Sequence, residues 1–217
     1  MTRSLSPTSD PSAGRGGAAR LFAGGVEGNE LLTVAAGAVL IVLLAVIGVT
    51  IVALGRFLSV HLFVGMMLLG PLALKLSSTG YRFVRYYTNN PRYRKAGPPI
   101  TSLRLIAPIV VISTLIVFAS GVALLLTGSG SRSILLPIHK VSFIVWVAFT
   151  SLHVLGHLPA LARGLSADDA PAAELGGAPD GRAGRALSLA GAITAGVVLA
   201  ILFIPQFSPW LNHFHHH

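Results

Sequence analysis

Histidine is the residue type with the most chemistry to offer in this chain, and its placement is uneven. Of eight histidines, four crowd the last five residues (His213, His215, His216 and His217). The other four fall in apolar surroundings: His61 by itself, then His139, His153 and His157 together. His139 and His153 stand fourteen positions apart, which on a helix is about 40° of rotation and roughly 21 Å of rise. His157, one turn after His153, returns to nearly the meridian of His139. One helix face therefore carries all three. Ionisable side chains inside a bilayer are costly and concentrate at working sites, so their confinement to two apolar segments is informative. Other chemistries are excluded. Without a single cysteine there are no disulfides, iron–sulfur clusters, zinc–thiolate sites, thiol nucleophiles or covalently attached c-type haem. Nor is there a P-loop, a dinucleotide-binding glycine motif, a nucleophile elbow or a His-Glu zinc motif.

The elements that must position these histidines follow from composition. The 217 residues are 53% hydrophobic and 11% charged, with a mean hydropathy of +0.75. A soluble domain carries about a quarter charged residues, and a disordered chain could not keep this much apolar surface solvated. The pattern predicts an all-α integral membrane protein. Five apolar stretches, at 31–54, 57–78, 106–126, 134–158 and 186–204, reach the roughly 20 residues that a spanning helix needs. Residues 1–28 read as a flexible tail, and their polar lead is too long for a signal peptide. The membrane domain covers 29–207, with a solvated linker at 170–185. Residues 208–217 read as a His-rich tail, solvated or able to hold a copper or zinc ion.

Loop charges set the expected orientation. Twelve basic residues lie in the tail and the two loops on its side of the membrane. Three (Arg56, Arg132 and Lys140) lie on the other side, while Lys75 sits within the second span. The positive-inside rule then puts the N-terminus in the cytoplasm and the C-terminus outside, in a multi-pass protein of the cell membrane. All seven acids fall on the cytoplasmic side and none within a span. That disfavours proton pumps and cation-coupled carriers, which place carboxylates in the membrane. The spans show no internal repeat, which disfavours an inverted-repeat transporter.

Spans two and four run in the same direction, and His61 and His139 each lie a few residues below the outer end of their span. The two imidazoles can therefore face each other at one depth, as the iron of a six-coordinate haem requires in a helix bundle. Gly65, one turn from His61, leaves room for a flat macrocycle. Arg56 and Lys140 flank the histidines and are suited to haem propionates.

These features carry a resemblance. His-x-x-x-Gly in HLFVGMMLLGPLALKLSSTGYRF, and two histidines fourteen apart in HKVSFIVWVAFTSLHVLGHL, resemble membrane b-type cytochromes of the cytochrome b561 and ferric-reductase-like kind. The likeness covers spans two to four. It implies haem b between helices two and four with His61 and His139 as axial ligands, and electron transfer from quinol to a partner on the outer face. The chain would be an electron-transfer subunit of an oxidoreductase rather than a free-standing enzyme. A two-haem member would have a second histidine where Lys75 stands, so one haem is expected. His153 and His157 stay open to a second haem, a quinone site or a metal.

Other readings stand beside this one. Membrane histidines also tie helices together by hydrogen bonds, as they would in a haem-free scaffold or assembly subunit. Lys75 can snorkel to the headgroups, and Met66 and Met67 read as packing residues. The loop from Tyr81 to Pro99 holds all four tyrosines and many arginines. It reads as an aromatic belt that attracts anionic lipid or docks a protein partner. A nucleic-acid partner is not expected.

Overall fold

The computed structural model describes residues 25–95, 101–169 and 181–215. Among them there is no strand, and five helical segments are long and apolar enough to cross a membrane. The first span is α1 (Gly25–Val52). The second is split into α2 (Leu54–Met67) and α3 (Leu69–Tyr87). A short α4 (Pro91–Lys95) follows. The remaining spans are α5 (Thr101–Thr127), α6 (Arg132–Asp169) and α7 (Arg182–Leu202), and α8 (Ser208–His215) closes the chain. Every backbone N–H and C=O in hydrocarbon must be satisfied within the protein, which is why the apolar stretches can only be helices.

Several boundaries depart from the sequence reading. Helix α1 begins at Gly25, inside the expected tail, with Glu27 in its first turn where the helix dipole favours an acid. The turn between the first two spans begins at Ala53, and Phe57, with a φ of −112° and a ψ of 20°, kinks the start of α2. Tyr81–Tyr87, expected in a loop, continue α3, and Pro91–Lys95 form α4 after a turn in which Asn89 takes a φ of 59°. A helix leaving the membrane keeps its own hydrogen bonds in water, so nothing obliges it to stop with its apolar run. Residues 208–215, expected as tail, form α8. Its Trp210 is buried and donates its Nε1–H to the Leu124 carbonyl at 3.2 Å. Leu58, Met66, Leu124, Leu125, Phe207 and Trp210 form one apolar cluster at this end. The expected linker is described only from residue 181 on, and residues 1–24, His216 and His217 lie outside the described residues.

Helices α5 and α6 pair along their length through the tight turn Gly128–Ser131. Trp146 Nε1 on α6 donates to Thr114 Oγ1 on α5 at 2.8 Å, and Thr114 passes its own hydrogen to the Val110 carbonyl. Helix α1 packs on both halves of the second span, on α6 and on α7. The second span meets α7 at closer range. Pro71 has no N–H to give the Met67 carbonyl four residues back. That carbonyl lies where a Cβ on Gly196 would be, and the Ala192 carbonyl lies where a Cβ on Gly70 would be. Two glycines thus bring the backbones into contact, a common device where no hydrophobic force draws helices together.

Gly70→Val and Gly196→Val should each lower the thermal midpoint in detergent, at a cost of about 1–3 kcal/mol, since a side chain would meet backbone rather than a movable group. Gly48→Ala, where a Cβ meets nothing within 4 Å, should leave the midpoint unchanged. Equal tolerance of all three would contradict the close approach.

Candidate functional site

His61 is half-buried on α2 and faces α1. Its Nδ1 lies 3.0 Å from Thr50 Oγ1, and the Thr50 side chain is itself buried. The Thr50 hydroxyl has one hydrogen, which it donates to the Ile47 carbonyl at 2.6 Å. It can only accept from His61, so Nδ1 carries the imidazole proton. Nε2 is left with a lone pair.

His139 is half-buried on α6 and reaches the same state by another route. Its Nδ1 lies 3.0 Å from the Val117 carbonyl on α5, and a carbonyl cannot donate. Nδ1 is again the donor and Nε2 again the free base. Ser120 Oγ stands 3.2 Å from the same nitrogen while bonded to the Ile116 carbonyl. Gly121 completes the seat, because a Cβ there would come within 3.1 Å of the imidazole Cε1. Each ring is thus fixed by an oxygen on an adjoining helix, the arrangement that orients histidine ligands at metal sites.

Direct packing between α2 and α6 is sparse among the described residues; α2 leans on α1 and α7, and α6 leans on α5 and α1. The faces of α2 and α6 that carry the histidines are therefore held from the sides rather than by each other. Gly65 presents open space, with nothing within 4 Å of where a Cβ would stand. Arg56 and Lys140 are exposed at the same end, and the Arg56 guanidinium lies 5.8 Å from the Phe57 ring centroid. Met66 is buried in the apolar cluster, in keeping with a packing role.

His153 lies half-buried on α6. His157 belongs to the same helix, but its side chain is outside the described residues, as are those of His213 and His215. Among the described residues no three of His, Cys, Asp and Glu gather as a metal cluster. Two apolar grooves open on the outside of the bundle. One, of about 620 Å³, lies between α5 and α6 beside Ile112, Ile116, Ile138 and Val141. The other, of about 390 Å³, lies between α3 and α5 beside Leu72, Leu76, Leu115 and Phe118. Neither is lined by His61 or His139. Their apolar walls match lipid chains.

Lys75 does not snorkel as the sequence suggested. It turns to α1 and donates to the Thr33 carbonyl at 2.6 Å, lying over Gly37, where a Cβ would stand 3.0 Å from Nζ. Beside it Thr33 and Ser78 share a hydrogen bond, and Ser78 Oγ donates to Asn29 Oδ1 at 2.8 Å. The Thr33 carbonyl on the neighbouring helix gives the ammonium an acceptor within the protein. Sequence reasoning also passed over Thr50, Val117, Ser120 and Gly121. Hydroxyls and glycines are common in membrane helices, and only the helix pairing shows which of them meet a histidine.

No protein-family model matches the chain, and neither a curated protein nor a solved structure is significantly similar to it.

Thr50→Val removes the acceptor of the His61 N–H at nearly constant volume. It should cost about 1 kcal/mol in thermal stability, the scale of a hydrogen bond between membrane helices, whereas Thr50→Ser should retain it. A Thr50→Val protein as stable as the wild type would contradict a stabilising bond between His61 and Thr50.

Proposed function

We propose that this chain is a membrane cytochrome that holds haem b through Nε2 of His61 and Nε2 of His139. The observation that carries the reading is the shared tautomer: both rings give their Nδ1–H to an oxygen on an adjoining helix and keep Nε2 as a base. A pair of neutral imidazole nitrogens would hold a haem iron. Gly65 supplies a bare backbone one turn from His61, and Arg56 and Lys140 are the cations at that end suited to propionates. When bound, haem b supplies a one-electron ferrous/ferric couple. The chain's own residues orient the ligands, exclude water and set the surrounding charge.

In this reading the protein transfers electrons between the quinone pool and an oxidoreductase partner on the outer face of the cell membrane, as the cytochrome subunit of a larger assembly. The N-terminus is cytoplasmic, and His153 and His157 serve the opposite side. A second reading has one observation in its favour. A haem-free scaffold would also use His61–Thr50 and His139–Val117 bonds to tie helices, and for it the two Nε2 atoms would be incidental.

A dithionite-reduced minus air-oxidised spectrum of the purified protein, with pyridine haemochrome analysis, separates the two. The cytochrome reading predicts a sharp α band and about one haem per chain, with the band lost in His61→Ala and in His139→Ala. Gly65→Leu should lower haem content without lowering the yield of folded protein, since among the described residues nothing lies within 4 Å of where a Cβ would stand. Absence of a Soret band after expression with added haem would overturn this reading in favour of the scaffold.

A further inference from the structure

The arginine-rich end of the second span forms a cluster that neither reading uses. The span from Leu54 to Tyr87 has 34 residues, or about 50 Å of helix, against a hydrocarbon core of about 30 Å. With its His61 end at one interface, residues 81–87 emerge at the depth of the opposite headgroups. Here Tyr93 of α4 is buried and folds back on α3, its ring meeting the Tyr81 ring edge-on at 5.9 Å. Arg85 is held against the Tyr81 ring at 5.8 Å, with its Nε buried and without a hydrogen-bond partner. Arg94 donates to Asn89 Oδ1 at 3.0 Å, which fixes α4 against its turn. Arg92 and Arg94 are exposed.

The described residues do little to neutralise this cluster. Arg82 has an acid, Glu30, at 3.8 Å. Arg85, Arg92 and Arg94 have none among the described residues. Ring packing holds Arg85 in place, so its positive charge is fixed in position with no acid of the described residues beside it. At headgroup depth the anion present in quantity is a lipid phosphate, and a guanidinium fork matches phosphate oxygens. We infer that Arg85, Arg92 and Arg94, set by Tyr81 and Tyr93, form a seat for the phosphate of an anionic phospholipid.

The test uses the full chain in vesicles of phosphatidylcholine alone, of phosphatidylcholine with phosphatidylglycerol, and of phosphatidylcholine with excess free inorganic phosphate. The readouts are the thermal midpoint by tryptophan fluorescence and the lipid retained in native mass spectrometry; neither depends on haem. Phosphatidylglycerol should raise the midpoint by several degrees, and free phosphate should not. Retention of phosphatidylglycerol over phosphatidylcholine should fall about fivefold for each of Arg85→Gln, Arg92→Gln and Arg94→Gln. Should Arg85→Gln fail to fold, the exposed Arg92→Gln and Arg94→Gln carry the test alone. Arg132→Gln, at the other end, should keep the full gain. An equal gain from free phosphate, a gain that survives all three substitutions, or one lost equally in Arg132→Gln would each overturn the proposal.

Discussion

An imidazole inside hydrocarbon has one N–H that must find an acceptor, and where that acceptor lies decides what the other nitrogen can do. In this protein both relevant rings find theirs on an adjoining helix: His61 on Thr50 of α1, His139 on Val117 of α5. The placement of the helices around the site depends on this constraint. Helix α1 must present Thr50 to α2, and α5 must present a carbonyl and Gly121 to α6. The α5–α6 pair is then fastened one heptad further along by Trp146 and Thr114. The site is built from four helices although two carry its histidines.

The rest of the bundle holds those four in register. Pro71 frees the Met67 carbonyl, and Gly70 and Gly196 let the second span lie backbone to backbone with α7. At the far end Lys75, Thr33, Ser78 and Asn29 tie α1 to α3 with polar bonds, which are selective in an apolar medium because each unmade one is costly. At the near end Trp210 folds α8 over the apolar cluster. The lipid-facing positions of α6, such as Ile134, Val141 and Ile144, are more than half exposed, while Ser142 and Trp146 are buried. Helix α6 therefore directs its histidine-bearing side to the protein.

Most of the architecture was legible in the amino-acid sequence, because length and hydropathy alone determine how many helices can cross a bilayer. Five helices long and apolar enough to cross a membrane overlap the five apolar stretches. The ends differ, since Tyr81–Tyr87 and Ser208–His215 are helical without being apolar throughout, and hydropathy is silent about helix in water. The histidines stood out by rarity and spacing. Their partners did not: Thr50 and Ser120 resemble any other hydroxyl until the helices are paired. Lys75 misled for the same reason, because snorkelling is the default only when no carbonyl on the next helix is within reach.

Low-temperature electron paramagnetic resonance of the oxidised protein tests the central claim most directly, because the signal of ferric haem reports its axial ligands. The wild-type chain and His153→Ala should both show the low-spin signal of two imidazoles on one iron. His61→Ala and His139→Ala should each lose it, either to a high-spin signal or to none. A low-spin signal that survives removal of His61 or His139, or the absence of any haem signal from the intact chain, would contradict the account.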